Sequence, residues 1–254
     1  MLLRSLTKHV KDQNWSAISI DFFIVVVGVF IGIQVANWND VRIERLLESE
    51  TLVALREDIQ ATSLNINTVL REAKIANNSL KTLAEFADGN HNDLSISEID
   101  QHILFGVYAI LTFDPSMVTY DELKNTGRLG LIKAKKLRKF LQLLASQINT
   151  LETEELSINK AAFNFTDKFL LKNYDWRGFV TIPSRKGSYS VDWLDPLKNR
   201  RDPKTTLRQP EFINLVLYRG RLNKSFESAA RILGKTLDQI DTLITNRLNE
   251  IDGK

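Results

Sequence analysis

The chain has 254 residues, of which 43% are hydrophobic and 26% are charged, and its formal net charge is +3. These values are ordinary for a folded protein, and so small a net charge does not indicate nucleic-acid binding. Cysteine is absent, which excludes disulfides, thiolate metal sites and thiol catalysis.

A 14-residue arm opens the chain, and we predict that residues 15–38 form a transmembrane helix. From Phe22 to Val35 the segment is apolar except for Gln34. A helix over the whole segment would be roughly 34 Å long, enough to cross a bilayer core of about 30 Å. Two alternatives remain open, namely a buried helix of a soluble domain and a cleaved signal peptide.

Charge in the flanks of this segment sets the expected orientation. The arm carries Arg4, Lys8 and Lys11, whereas the basic residues after Trp38 are interspersed with acidic ones. Because basic residues in short flanks favour the cytoplasm, we predict that residues 1–14 form a cytoplasmic arm. The protein would then be a single-pass protein of the inner (cytoplasmic) membrane. Residues 39–254 would form an extracytoplasmic domain, periplasmic in a cell with two membranes.

One face of the predicted span carries small residues. Gly28 and Gly32 form a G-x-x-x-G pattern, and Asp21 falls near the same line of a helix. Small residues let two membrane helices approach closely, so these three residues are a candidate helix-pairing face. The partner would be a second copy of the chain or another membrane protein. Alternatively, Asp21 caps the helix near the membrane interface.

After the span, apolar residues recur at alternating steps of three and four along three stretches. This pattern is typical of helices that pack in bundles and coiled coils. The first seam is Leu52, Leu55, Ile59, Thr62, Ile66, Val69, Ala73, Ala76, Leu80, Leu83 and Ala87. The second seam is Leu137, Leu141, Leu144, Ile148, Leu151, Glu155, Ile158, Ala162, Phe165 and Phe169. The third seam is Phe226, Ala230, Leu233, Leu237, Ile240, Ile244, Leu248 and Ile251.

The sequence therefore predicts an all-α fold, with the transmembrane helix followed by an elongated antiparallel bundle of three long helices and several short ones. The first bundle helix would begin near Asp40, directly after the span, and end at Gly89 and Asn90. Pro210 suits the first turn of the third helix. Glu155 interrupts the second seam, and we expect it to pair with a Lys or Arg of another helix.

Two connectors separate the long helices. In residues 88–132, Ser95 and Glu98 have the spacing of a capping box, which predicts a helix through about Leu111, and Thr119 would cap a second short helix. If sequential helices are antiparallel, these residues form the distal tip and residues 173–208 lie near the bilayer. Residues 189–193 alternate with period two, so a small β-hairpin and an ordered loop are both consistent with residues 173–208.

Aromatic and basic residues are candidates for contact with the membrane surface. Residues 172–208 carry a net charge of +5, so contact with anionic headgroups is one interpretation. The other is a cap whose aromatic rings are buried over the end of the bundle. The candidate surface residues are Trp15, Trp38, Trp176, Arg177, Trp193, Arg200 and Arg201.

The sequence contains few groups arranged for chemistry. The densest polar motif is residues 119–127, but adjacent Asp121 and Glu122 would point in different directions on a helix. They fit better as an acidic first turn that complements the helix dipole. The three histidines share no metal-ligand spacing, and no nucleotide-binding or hydrolase fingerprint is present. We therefore predict no enzyme activity, no metal and no cofactor.

Two stretches resemble an uncharacterised family of bacterial single-pass membrane proteins. In the first, an apolar run leads into Gln34, Asn37, Trp38 and Asn39, similar to the family's Q-x-x-N-W-N ending. The second resembles a T-Y-D-E-L…T-G-x-L-x-L-I motif, carried here by Thr119, Tyr120, Asp121, Glu122, Leu123, Thr126, Gly127, Leu129, Leu131 and Ile132. The family has no known function, so the resemblance implies a membrane anchor and a helical soluble domain and no catalytic residue.

From these observations we expect a membrane-anchored interaction or scaffold module. A ligand-sensing module is the main alternative. The predicted cytoplasmic arm has no output domain, so sensing would require a partner in the membrane.

Overall fold

The computed structural model describes residues 15–90, 93–181 and 201–253, and within these ranges it contains helices and turns but no strand, which confirms the all-α class. Residues 1–14 and the candidate hairpin residues 189–193 lie outside the described ranges. The α-helices are α1 (Trp15–Ala87), α2 (Ile96–His102), α3 (Val118–Asn125), α4 (Lys135–Ala161), α5 (Asp167–Asn173), α6 (Lys204–Leu207) and α7 (Pro210–Asp252). Two π turns (Ile103–Val107, Ala162–Thr166) and two 3₁₀ turns (Arg128–Leu131, Trp176–Thr181) complete the set.

The chain divides into two compact units, residues 1–51 and residues 52–254. In the first unit, the side chains of residues 22–46 of α1 are exposed. Most of those from Phe22 to Val35 are apolar. This part of α1 is long and apolar enough to cross a membrane. Its helical conformation continues across Asp40 without a break, as the sequence predicted.

The second unit begins with the seam of α1, whose residues from Leu52 to Leu83 are buried as predicted. The helix ends at the predicted place. The N–H of Asn90 donates to the carbonyl of Glu85 over 2.9 Å, and the N–H of Gly89 donates to Phe86 over 3.0 Å. Gly89 has a φ of 85°, a left-handed conformation that glycine adopts at little cost.

Helix α7 is antiparallel to α1. Asn77 donates to Glu227 over 2.8 Å, and Arg56 donates to Asp241 over 2.9 Å, so residue numbers fall along one helix as they rise along the other. Pro210 occupies the first turn of α7, as predicted. The third seam is buried from Phe226 to Ile244 and becomes partly exposed toward the end of the helix.

Helix α4 is antiparallel to α7 and therefore parallel to α1. Arg219 on α7 donates to the carbonyl of Ile158 on α4 over 2.8 Å, and beyond these helices Thr206 on α6 donates to the carbonyl of Asn173 on α5 over 3.2 Å, so residue numbers again run in opposite directions. The predicted antiparallel order is therefore correct for α4 and α7 and wrong for α1 and α4. Its physical basis holds for short connections, whereas residues 88–132 are long enough to run back along α1.

The course of this connector also corrects its predicted role as a distal tip. Ile99, Ile103 and Val107 belong to a hydrophobic cluster with Leu80, Leu83 and Phe86. Residues 114–119, in contrast, are hydrogen-bonded to residues 58–65 in an earlier part of α1. Only the first part of the connector therefore lies at the C-terminal end of α1.

Helix α2 is shorter than predicted. Its capping box is present, since Glu98 N–H donates to Ser95 Oγ over 3.3 Å and the Glu98 carboxylate accepts from the Ser95 N–H over 2.8 Å. A π turn follows at Ile103, and the helix does not reach Leu111. Within this turn, a Cβ on Gly106 would lie 3.0 Å from the backbone nitrogen of Leu80. A glycine here lets the turn approach α1 closely.

The second π turn changes which residues of the second seam are buried. The predicted positions Leu137 to Ala162 are buried apart from Glu155, but Phe165 is 55% exposed and Phe169 is only partly buried. A π turn inserts one residue into the helical repeat. Consequently Thr166 and Leu170 take the buried positions expected for Phe165 and Phe169.

Residues on both sides of the second connector pack at the C-terminal end of α1. Tyr174, Leu207 and Phe212 share a cluster with Leu83 and Phe86. The predicted position of residues 173–208 near the bilayer depended on an antiparallel order of all three long helices. The structure does not have this order.

Candidate functional site

The candidate pairing face occupies an open stretch of α1. A Cβ added to Gly28 or Gly32 would meet no other described side chain within 4 Å. Trp38, at the end of the predicted span, is 67% exposed. The side chains of Trp15 and Asp21 lie outside the described set. This stretch of α1 therefore has room for a second helix at both glycines.

The motif at residues 119–127 is divided between packing and solvent. Tyr120 and Leu123 are buried on one side of α3, whereas Asp121 and Glu122 are exposed. Burial raises the pKa of Tyr120, and the Asp121 charge raises it further. Gly127, at a φ of 70°, occupies the left-handed position after the helix. Two motif residues thus attach α3 to the core, and a third permits the chain to turn.

The start of α3 is capped by a residue from another helix. Asp58 on α1 accepts from the N–H of Thr119 over 2.7 Å and from the hydroxyl of Ser116 over 2.9 Å. The predicted cap at Thr119 is wrong, because α3 begins at Val118 and its N-cap, Met117, has no suitable side chain. A carboxylate at this position satisfies a free helical N–H and complements the helix dipole.

Further side chains of α1 hold the irregular segment before α3. Thr62 donates to the carbonyl of Ser116 and accepts from its N–H, both over 3.0 Å. Asn65 accepts from the N–H of Asp114 over 3.2 Å. Side chains of α1 thus provide hydrogen bonds to backbone groups of a segment that forms no helix of its own.

Glu155 contributes to the same segment from α4. Its carboxylate accepts from the N–H of Phe113 over 3.1 Å, in place of the predicted pairing with a Lys or Arg. A polar residue within the seam is therefore explained by a backbone group that reaches the bundle interior. Removing the carboxylate would leave this N–H without a protein partner.

The aromatic residues of the second connector form a cluster. The ring of Trp176 lies edge-on to Tyr108 at 5.6 Å and to Phe179 at 5.3 Å, and Tyr174 stacks on Phe179. Trp176 itself is half-buried. Trp176 therefore packs against other aromatic rings, as the predicted alternative to lipid contact requires.

The basic residues of this connector also form local contacts. Arg177 makes a bidentate ion pair with Asp175, and the backbone N–H of Arg201 donates to the same carboxylate over 3.2 Å. The hydrogen bonds from Arg177 hold the pKa of Asp175 well below its usual range. Arg201 is exposed, and Trp193 and Arg200 lie outside the described residues. Lipid contact by these residues stays a prediction.

Helix α7 also carries two buried polar residues that the predicted seams did not include. Arg219 and Asn223 are both fully buried. Arg219 donates to the carbonyls of Ile158 and Ala109, close to the two π turns, and burial lowers its pKa to about 10. Both amide atoms of Asn223 lack a partner among the described residues. Extending the third seam backward from Phe226 by steps of three and four reaches Asn223 and Arg219, so their burial could have been predicted.

Groups that could perform chemistry are scattered. Asp100 is buried and accepts a hydrogen bond from the hydroxyl of Tyr174. His102 lies near Glu98, and burial lowers its pKa. Among the described residues, no group of three or more His, Asp or Glu side chains could hold a metal ion.

Comparison with known proteins yields no relative. No family model matches the chain, and neither a curated protein nor a solved structure matches it. The family resemblance therefore stays a prediction.

Proposed function

We propose that the protein is a single-pass membrane protein whose helical domain, outside the cytoplasm, acts as an interaction or scaffold module. The observation that carries this proposal is the composition of α1. Its first part exposes apolar side chains along all faces, and its second part buries one seam in a packed bundle. A helix that is apolar all round favours lipid as its surroundings, whereas a one-sided seam is typical of a water-soluble bundle.

An interaction role is favoured by the way the bundle uses its polar residues. Three carboxylates on the long helices accept hydrogen bonds from a backbone N–H or from a side chain of another element and so maintain the fold. Asp58 and Glu155 fix the segment before α3, and Glu227 joins α7 to α1. These three carboxylates stabilise the fold that presents the surface of the domain, and they do not converge on a substrate.

Two experiments test the proposal. Alkaline phosphatase and green fluorescent protein are each fused after Lys254, and phosphatase activity without fluorescence is expected for an extracytoplasmic domain. In-cell crosslinking of the full chain with a membrane-impermeant amine reagent, followed by mass spectrometry, should yield a reproducible protein adduct. Fluorescence without phosphatase activity would overturn the location, and an unmodified monomer as the sole product would overturn the interaction role.

A further inference from the structure

An open groove runs between α5 with its preceding π turn and the first turns of α7. Its volume is about 690 Å³. Phe165 and Tyr218 close one end with rings in edge-to-face contact at 5.7 Å. Of the aromatic residues in the lining, Phe169 is the least exposed. Leu215 is the aliphatic residue of the lining and is buried. The remaining lining residues are Asn164, Lys168, Lys172, Asn173, Glu211 and Asn214.

The π turn creates this groove. With a regular helical repeat, Phe165 and Phe169 would continue the buried seam of α4. The inserted residue gives those buried positions to Thr166 and Leu170, moves Phe165 to the surface and leaves Phe169 partly exposed. Large apolar side chains brought to the surface in a group commonly mark an interaction site, and π turns are frequent at functional sites.

The groove also has a charged wall. Lys168 and Lys172 lie one helical turn apart on α5 and are both exposed. Neither forms an ion pair or a hydrogen bond within the described part of the chain. Glu211 on α7 is the single carboxylate in the lining, so the α5 side of the groove is cationic.

The shape of the groove favours a docked helix over a small molecule as its ligand. Small-molecule sites enclose most of the ligand surface, whereas here Phe165 is 55% and Tyr218 is 39% exposed. Residues 165–172 span roughly 10 Å at about 1.5 Å per residue, which matches two turns of a docked helix. Such helices place apolar residues at steps of three and four into a groove and carry charges on their flanks.

We propose that this groove binds an amphipathic helix of a partner protein, in which acidic residues flank the apolar stripe and face Lys168 and Lys172. The inference rests on the proposed role as an interaction module and names the surface and the chemistry of the partner. Apolar contacts with Phe165, Phe169 and Leu215 supply affinity, and the two lysines select the acidic flank.

The first test uses two synthetic peptides of about 18 residues, roughly five helical turns. Both carry leucine at helical spacing, one with glutamate and the other with lysine on the flanks. Fluorescence anisotropy measures their binding to the full chain in phosphatidylcholine nanodiscs. The acidic peptide should bind at least about tenfold more tightly than the basic one, with an affinity that falls as salt is added.

Matched charge reversals identify the surface. Lys168→Glu with Lys172→Glu should weaken binding of the acidic peptide about tenfold or more. Lys135→Glu with Lys139→Glu, an equally exposed pair at the same spacing on α4, should leave it unchanged. Circular dichroism verifies the fold, and Lys168→Gln with Lys172→Gln replaces the reversal if that variant unfolds. Equal affinity for both peptides, or equal affinity of the groove variant and the wild type, would overturn the proposal.

The second test identifies the occupant in cells. A photoreactive benzoylphenylalanine replaces Phe165 and, in a control chain, Leu64, which is 71% exposed on α1. Adducts from position 165, absent from position 64, should map to a partner segment with an apolar stripe and acidic flanks. Adducts with lipid or with a second copy of the chain would overturn the proposal. If the amine reagent captures a partner but position 165 captures none, the groove is rejected and the interaction role stands.

Discussion

The two parts of α1 differ in how they use apolar residues. Residues 22–35 are exposed on every face, with Phe22 at 68% and Phe30 at 61%. Between Leu52 and Leu83, each seam residue is buried, while Val53 and Leu64 on other faces are exposed. Burial of a large apolar side chain contributes about 1.5–3 kcal/mol. The bundle part obtains this contribution from protein contacts, and the apolar part would obtain it from lipid.

Charges in the apolar part should have the largest effect. Val27→Arg with Ile31→Arg should move the chain out of the membrane fraction, because each arginine at the centre of a span costs about 2.5–3.5 kcal/mol. Leu64→Arg, on an exposed face of the bundle part, should leave the distribution unchanged. Carbonate extraction followed by flotation measures the membrane fraction. A double variant that still floats with lipid would remove the distinction between the two parts.

The next largest effect concerns the buried arginine in the bundle. Arg219→Ala should lower the free energy of unfolding by about 3 kcal/mol or more, since two carbonyls lose a charged donor and a cavity forms. Arg221→Ala, at an exposed position two residues later, should change it by less than about 0.5 kcal/mol. Urea unfolding followed by circular dichroism measures both. Equal stabilities would show that Arg219 contributes little to the bundle.

A smaller loss of stability is expected when the cap that α1 provides to α3 is removed. Asp58→Ala should reduce the free energy of unfolding by about 1–2 kcal/mol, because the N–H of Thr119 and the hydroxyl of Ser116 lose their acceptor. Glu57→Ala alters an exposed neighbour on α1 and is the control. The same urea experiment applies, and the prediction fails if both substitutions have the same effect.

The smallest effect is a pH dependence of stability at Glu227 on α7. The hydrogen bond from Arg231, assisted by Lys224, lowers the pKa of Glu227 below its ordinary value of 4.5. A lowered folded-state pKa means that the stabilisation is present above about pH 4.5 and is lost as the pH falls through the folded-state pKa. Glu227→Gln should therefore reduce the fall in melting temperature between pH 7 and pH 3. Glu152→Gln, at an exposed position, should leave that fall intact.

The sequence predicted those features that depend on local spacing. The first and third seams, the second seam as far as Ala162, the end of α1 at Gly89, the capping box at Ser95 and the first turn at Pro210 follow from helical periodicity and backbone preference. Each requires information from only a few neighbouring residues.

Features that depend on distant contacts were not predicted. The cap of α3 comes from Asp58, 61 residues away from Thr119, and spacing within the motif cannot reveal it. The heptad spacing of the second seam likewise does not reveal the π turn at Ala162. Phe165 and Phe169 fit the regular spacing, whereas the residues that are buried, Thr166 and Leu170, lie one position further along the chain. The order of the helices depended on whether the first connector reverses direction once or twice, which its composition does not specify.

The ion pair between Arg56 and Asp241 joins residues 185 positions apart. Protein synthesis at about 5–20 residues per second would separate their appearance by roughly 10–40 s. During that interval the seam of α1 is present without α7, its principal antiparallel partner. Loop closure over this distance also slows folding relative to a bundle of adjacent hairpins. Early insertion of the apolar segment into a membrane would hold the nascent seam at a surface and limit encounters with other unfinished chains.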